Sequence, residues 1–313
     1  MKVAPGIYQG IPFETYLSWN AISNSSLGAA VRESAPLEIS MLHYFHQEPM
    51  EETPALRFGK LCHAERFEFS TALKNYCVMP DLLKFDLLDD GSLIESPCKD
   101  AGGKPTESKN AKMYKDRRTR FQFQNVGKSI ITEDEWDRVQ GIAYALDQHE
   151  VAKQYFKNKG PQTDHELSIV WKDKETGLLC KGRIDCAQHA DRLLIDLKTT
   201  DSVTDFSRTI ARYNYHRQAA FYADGMRTLT GTSYRVAGVA IEKTRPCAVV
   251  GAPFSDTAIL AGRMQYRGVL HEIMMSIASE TWPGPWSPQE WELPTWAVPV
   301  VSWDAEPLAT ATR

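Results

Sequence analysis

Gly182-Arg183-Ile184-Asp185-Cys186, followed by Leu194-Ile195-Asp196-Leu197-Lys198-Thr199-Thr200, is the stretch on which the fold turns. Both runs are short and β-rich, and Gln188-His189-Ala190-Asp191 separates them as a turn. Asp196 and Lys198 are one residue apart, so on a strand their side chains leave the same face. Counting back across the turn places Asp185 beside Asp196 on the neighbouring strand. Upstream, Glu166 to Trp171 is a third run, split from Leu178 to Cys186 by Asp173-Lys174-Glu175-Thr176-Gly177. Three strands joined by two tight connections predict an antiparallel meander.

Working outward, a long helix is expected from Val203 to Leu229, ended by Thr230-Gly231. Strands Tyr234 to Glu242 and Ala248 to Gly251 follow, then a helix from Asp256 to Ser279. On the upstream side, Thr132-Glu133-Asp134-Glu135 is a capping box. The helix it opens is expected to run to about Phe156, with Trp136, Val139, Ile142, Ala143 and Leu146 as its stripe. Pro54 opens another, Ala55 to about Phe69, and a helical pattern passes through Leu37, Met41, Leu42, Tyr44 and Phe45. Residues 84 to 128 read as a polar loop, within which Lys104 to Lys128 holds eight Lys/Arg against Glu107 and Asp116, a local charge of +6. From Thr281 to Trp296 there are four tryptophans and four prolines, the mark of an extended tail. The fold class is α/β (α+β): a central mixed β-sheet with an antiparallel three-strand meander flanked by helices.

With 313 residues, 42% apolar and 24% charged, the chain has an average globular composition, which excludes wholesale disorder. The net charge of −4 leaves no global basic field, so a nucleic-acid partner has to be met by local patches. Six cysteines without a CxxC pair exclude a zinc ribbon and fit a reducing cytosol. The first 30 residues lack a basic start followed by an apolar run, and no 18-residue apolar stretch occurs. A cytoplasmic protein with no membrane partner is expected.

Two neighbouring carboxylates raise each other's pKa unless a cation joins them. Mg²⁺ characteristically takes one or two carboxylates together with phosphate oxygens and waters. A lysine two residues from such a ligand can orient or deprotonate an attacking water and stabilise charge on the phosphate, which suits phosphodiester hydrolysis. Ile195-Asp196-Leu197-Lys198 alone is also an ordinary alternating strand with polar residues in solvent; Asp185, eleven residues before Asp196 on an antiparallel neighbour, argues against that. Gln218 and Tyr222, four apart on a helix, share a face where an amide and a phenol can meet phosphates or bases. Arg183 and Lys181 are further phosphate contacts. Lys104 to Lys128, with Tyr114, Phe121 and Phe123 interleaved, is either a DNA-backbone element or a solvated loop. Glu166 is either an additional carboxylate or a solvated strand end, and His165, His189 and His216 read as structural.

Taken as a set, Asp185, Asp196-x-Lys198 and Gln218-x-x-x-Tyr222 resemble the PD-(D/E)xK nuclease superfamily, in its RecB-like branch. Within that branch, Cys180-Lys181-Gly182-Arg183-Ile184-Asp185, Ile195-Asp196-Leu197-Lys198-Thr199-Thr200 and Tyr215-His216-x-Gln218-Ala219-Ala220-Phe221-Tyr222 are similar to the RecE (exodeoxyribonuclease VIII) group of phages and prophages. The similarity spans roughly residues 15 to 300. It includes Trp282-Pro283-Gly284 and Leu293-Pro294-x-Trp296-Ala297 near the end.

The resemblance implies a restriction-endonuclease-like core in a single nuclease domain, 1–313. Its parts are a helical N-terminal part, 1–130, with the basic loop 104–128, a catalytic core, 131–280, and a Trp/Pro-rich tail, 281–313. Under it, Asp185 and Asp196 hold Mg²⁺ (or Mn²⁺) with the carbonyl of Leu197, and Lys198 positions the attacking water. Phe58-Gly59-Lys60-Leu61-Cys62-His63-Ala64-Glu65 matches the family's histidine element, which places His63 near a metal. Gln218 and Tyr222 then fix the strand. The resemblance further implies a 5′→3′ exonuclease on duplex ends, a homo-oligomer around DNA and a single-strand annealing protein as partner in phage-type recombination. Some relatives hold an iron–sulfur cluster through C-terminal cysteines; only Cys247 lies beyond Cys186, so no cluster is expected. The superfamily's leading proline has no counterpart before Asp185. Two rival readings keep the same fold: a single-strand nuclease or endonuclease of the RecB or CRISPR-adaptation kind, and a catalytically silent DNA-binding protein.

Overall fold

A six-stranded mixed sheet carries the molecule, in a computed structural model that describes residues 1–32, 35–47, 53–68, 74–156 and 162–284. Its strands are β1 (Gly6–Tyr8), β2 (Thr163–Lys172), β3 (Leu179–Gln188), β4 (Leu193–Thr200), β5 (Arg235–Glu242) and β6 (Val249–Pro253), and they neighbour one another in chain order. Every pairing is antiparallel except β4 with β5. The expected meander is β2-β3-β4. Helices α1 (Phe13–Ser18), α2 (Asn24–Ala29), α3 (Pro54–Phe67), α4 (Lys112–Gln124), α5 (Glu133–Gln148), α6 (Tyr215–Thr230) and α7 (Asp256–Ser279) surround it, with other short helices between them.

The sheet is covered on both faces, which is why Leu194-Ile195 and Val239-Ala240-Ile241 read as continuous apolar runs. On one face Ile169, Trp171, Ile184, Leu194 and Val236 pack against Phe221 and Met226 of α6 and Tyr266 and Leu270 of α7. On the other, Cys186, Ile195, Leu197, Val239 and Ile241 pack against Phe58 and Leu61 of α3 and Val139 and Ile142 of α5. A regular strand would send Ile184 and Cys186 to one face. They lie in opposite layers instead, so the alternation of β3 breaks at Asp185.

Four expectations need correction. The helix expected from Thr132 to Phe156 is two helices, because His149 leaves the helix at ψ 124° and its ring caps the next one through the Ala152 N–H. The helix expected from Val203 to Leu229 is also two, Phe206–Arg212 and α6, broken at Asn214, whose φ is 55°. Leu37 belongs to a strand, Ala35–Ile39, rather than to the short helix Met41–Phe45.

The fourth is the basic loop, which contains α4. That helix buries Tyr114, Arg117 and Phe121 against Leu82, Leu87 and Cys98. Arg117 donates to the carbonyls of Leu82, Phe85 and Ser96, so it holds the N-terminal part together and faces no ligand. Tyr114 and Phe121 are core residues and offer no face to a base; Phe123 is exposed. The helix end expected at Phe69 and the tail 285–313 lie outside the described residues. Of the tail's aromatic residues, Trp282 stacks on Tyr44 at 6.0 Å between ring centroids.

Helices α6 and α7 cross at Gly262, where an added Cβ would stand 2.2 Å from the His216 carbonyl oxygen and 2.8 Å from the Arg217 nitrogen. Those are main-chain atoms of α6 and cannot turn aside. Gly262→Ala is expected to destabilise the protein by about 2–3 kcal/mol, although alanine is the better helix former by ~1 kcal/mol. A melting temperature several degrees below wild type is the measured result.

Candidate active site

The site forms where β3 and β4 part. Their ladder runs from Leu193 opposite Gln188 to Ile195 opposite Cys186 and stops there. Beyond it the Leu197 N–H donates to the Asp185 carboxylate at 2.7 Å, so a side chain takes over a bond that the ladder would have made. The Leu197 carbonyl faces the same opening and accepts from His63 Nε2 at 2.9 Å. A carbonyl can only accept, so Nε2 carries a proton, and His63 Nδ1 is the atom turned to the carboxylates.

Nδ1 lies 3.6 Å from Glu166 and 3.6 Å from Asp185. One donor atom from each of His63, Glu166 and Asp185 falls within 4.8 Å of the other two, and among the described residues no second group of three such side chains converges. Glu166 sits opposite Asp185 in the β2–β3 hairpin, in a gap of the ladder between His165–Cys186 and Leu167–Ile184. Its φ is 49°, a left-handed backbone unusual for a non-glycine residue and a known habit of functional sites. Arg183 holds the carboxylate there, with Nε 2.6 Å from Glu166 Oε2 and one terminal nitrogen donating to the Ile11 carbonyl at 2.7 Å. Its other terminal nitrogen is 3.5 Å from Glu68.

Asp196 and Lys198 leave β4 on the side of α6. Lys198 Nζ donates to Asp196 Oδ1 at 2.8 Å and stands 5.0 Å over the Tyr215 ring. Gln218 donates to the same Asp196 oxygen at 2.9 Å, and Tyr222 shares a hydrogen bond with Gln218. The Tyr222 ring lies on β3 at Gly182, where a Cβ would come within 2.8 Å of it.

The electrostatics follow from burial and crowding. Burial lifts the Asp185 carboxyl to about 7, with Asp196 and Glu166 adding to the rise and His63 and Lys198 opposing it. Burial works against a charged His63, but Asp185 and Glu166 outweigh it and raise the imidazole to about 9. Glu166 is held below the usual carboxylate range because His63 and Arg183 overcome its own burial. Lys198 is raised in spite of burial by Asp196 and Asp185, and stays an ammonium.

The family model described as “PDDEXK-like domain of unknown function (DUF3799)” matches residues 37–287. The chain belongs to this family. Among solved structures, the PDDEXK-like chain is similar to one described as a “Putative exonuclease” from Eubacterium rectale. That match has 14% identity and a TM-score of 0.55 over 89% of this chain and 90% of that one. At that identity the likeness speaks for the fold, a restriction-endonuclease-like core. A second structure, SSO0001, matches at 16% identity over 53% of this chain and 72% of that one, with a TM-score of 0.25 that is too low to bear on the fold. No curated protein matches the sequence. Membership among PDDEXK-like domains, with this fold, supports a nuclease. No helix among the described residues is long and apolar enough to cross a membrane.

Of the expected site residues of this PDDEXK-like domain, His63, Asp185, Asp196 and Lys198 converge, and Glu166 joins them. Gln218 and Tyr222 turn inward to Asp196 rather than out toward a strand. Arg183 departs from its expected phosphate contact, since Glu166, Glu68 and the Ile11 carbonyl engage it. Lys181 departs likewise: its ammonium donates to the carbonyls of Tyr16, Leu17 and Trp19 at the end of α1. The Leu197 carbonyl, expected as a metal ligand, directs one lone pair at His63. Hairpin counting signals Glu166 in the sequence, since pairing Lys172 with Leu179 brings Glu166 opposite Asp185.

Proposed function

We propose that the chain is a metal-dependent deoxyribonuclease, one nuclease domain over residues 1–313 that hydrolyses DNA phosphodiester bonds. The observation that carries this reading is the convergence of His63 Nδ1, Glu166 and Asp185 beside the Asp196–Lys198 pair. One imidazole and two carboxylates fit a divalent cation such as Mg²⁺ or Mn²⁺, and bringing those carboxylates together is costly unless positive charge meets them. Such an ion, when bound, supplies Lewis acidity at the scissile phosphate.

The protein's own groups do the rest. His63, Glu166 and Asp185 hold the cation, with Asp196 as the neighbouring oxygen donor. Arg183 keeps the Glu166 carboxylate aimed, and the Leu197 carbonyl keeps the His63 ring aimed. Lys198 orients the attacking water and offsets charge on the phosphate. Gln218 and Tyr222 hold Asp196 in place.

Resemblance to the RecE group supports a 5′→3′ exonuclease acting on duplex ends in phage-type recombination. The same resemblance supports a cytoplasmic homo-oligomer working with a single-strand annealing protein. The test uses linear duplex labelled separately at its 5′ and 3′ termini, beside a nicked circle, with and without Mg²⁺. Release of the 5′ label first, only with Mg²⁺, with the circle spared and Asp196→Ala inactive, is the expected result. Cutting of the circle would replace the exonuclease by an endonuclease, and full activity of Asp196→Ala would overturn the assignment of the site.

A further inference from the structure

Helix α4 and the parallel strand pair Tyr76–Met79 and Ser129–Thr132 border, with the start of α3, a half-open cavity of about 430 Å³. Its lining includes Arg57, Arg118, Gln122, Lys128 and Glu135. Glu135 is committed: it pairs with Arg57 and also accepts from the Thr132 N–H of the capping box. Arg118 and Lys128 are exposed and pair with no carboxylate among the described residues. The lining therefore carries three cations against one carboxylate that is already in use. Lys115 lies one turn before Arg118 on α4, also exposed and unpaired, and extends the positive stripe along the helix.

The placement matters because Arg57 and His63 share α3. Six residues of helix separate them, about 9 Å along its axis. Along that axis the offset matches about three nucleotides, since phosphates of one strand recur every ~3.4 Å along a duplex. The cavity's volume is several times that of one phosphate group and admits a short run of backbone, and unpaired Arg and Lys are the side chains that hold phosphate oxygens.

We propose that this cavity is a second phosphate-binding site, in which Arg118 and Lys128 grip the backbone of the DNA whose cleavage the carboxylate cluster performs. The proposal rests on the deoxyribonuclease reading for its ligand. It makes the exposed edge of α4 a track for the backbone, while the buried aromatic residues of the same helix only support it.

The test measures binding of a fluorescein-labelled 20-bp duplex by anisotropy, in EDTA so that no cleavage occurs, across a range of salt. The variants are Arg118→Ala/Lys128→Ala and, as a control, Lys174→Ala/Arg235→Ala, which removes two exposed cations outside the cavity. The cavity variant should bind about tenfold or more weakly at 0.1 M salt. Its salt slope should fall by ~2, since each lost phosphate contact removes ~0.9. Its melting temperature should match wild type, and the control should keep the wild-type slope.

Equal slopes for wild type and the cavity variant overturn the proposal, as does an equal loss in the control. Calorimetry with inorganic phosphate distinguishes a site for the free anion. Phosphate binding that the cavity variant loses, with duplex affinity unchanged, also overturns the proposal. Failure of the nuclease reading shows separately, as a wild-type protein that binds duplex and cuts nothing with Mg²⁺ or Mn²⁺.

Discussion

Asp185→Asn should reduce cleavage of linear duplex by at least ~10³-fold, about 4 kcal/mol of transition-state stabilisation. The amide keeps the size of the carboxylate and can still accept from the Leu197 N–H, so the opening between β3 and β4 is preserved. What it removes is the charge shared by the group with His63 and Glu166, and with it the affinity for a hard cation. Two readouts separate this from misfolding. Mn²⁺ affinity measured by calorimetry should collapse, while the melting temperature should stay within about 3 °C of wild type. A variant that keeps a tenth of the wild-type rate would remove Asp185 from the set that holds the metal.

Lys198→Met should cost ~10²- to 10³-fold in kcat, for a different reason. Methionine keeps much of the aliphatic stem but loses the ammonium fixed between Asp196 and the Tyr215 ring. A pre-oriented charge at the reacting phosphate is worth about 3–4 kcal/mol in such settings. Lys198→Arg should not restore the rate, because a planar fork cannot occupy the position of a compact point charge 2.8 Å from Asp196. Metal affinity should remain near wild type in both variants, which is the contrast with Asp185→Asn. Equal loss of Mn²⁺ binding in Lys198→Met would instead place the lysine among the supports of the ligands.

Strands β2 to β6 were legible because alternation and turn residues are local signals, whereas β1 and the short strands before α5 carry too few residues to show a period. Thr176-Gly177 and Ala190-Asp191 mark the two hairpins of the meander whatever packs around them. Helix breaks were not legible, since the apolar period continues across His149 and Asn214 while only the backbone turns. Helix α4 was hidden by its own charge. Its core face includes Arg117, whose stem is buried and whose guanidinium satisfies three carbonyls, and a count of apolar positions scores such a residue as a gap. At the site, counting along the hairpins brings Asp185, Asp196 and Glu166 together. No spacing rule joins His63 to them from more than a hundred residues away; only the resemblance suggested it. The inward turn of Arg183 and Gln218 depends on a left-handed residue and a parted ladder, neither of which side-chain pattern encodes.

The parted ladder also determines what a mutational scan would see. Leu197 contributes to the centre through its peptide group alone, with its side chain in the core behind the sheet. Substituting alanine there would register as a packing defect and leave both polar contacts standing, and proline is the one encoded residue that deletes the donor. Part of the centre is thus written in the course of the main chain rather than in the genetic alphabet, and a catalogue of point variants would report Leu197 as an ordinary buried leucine.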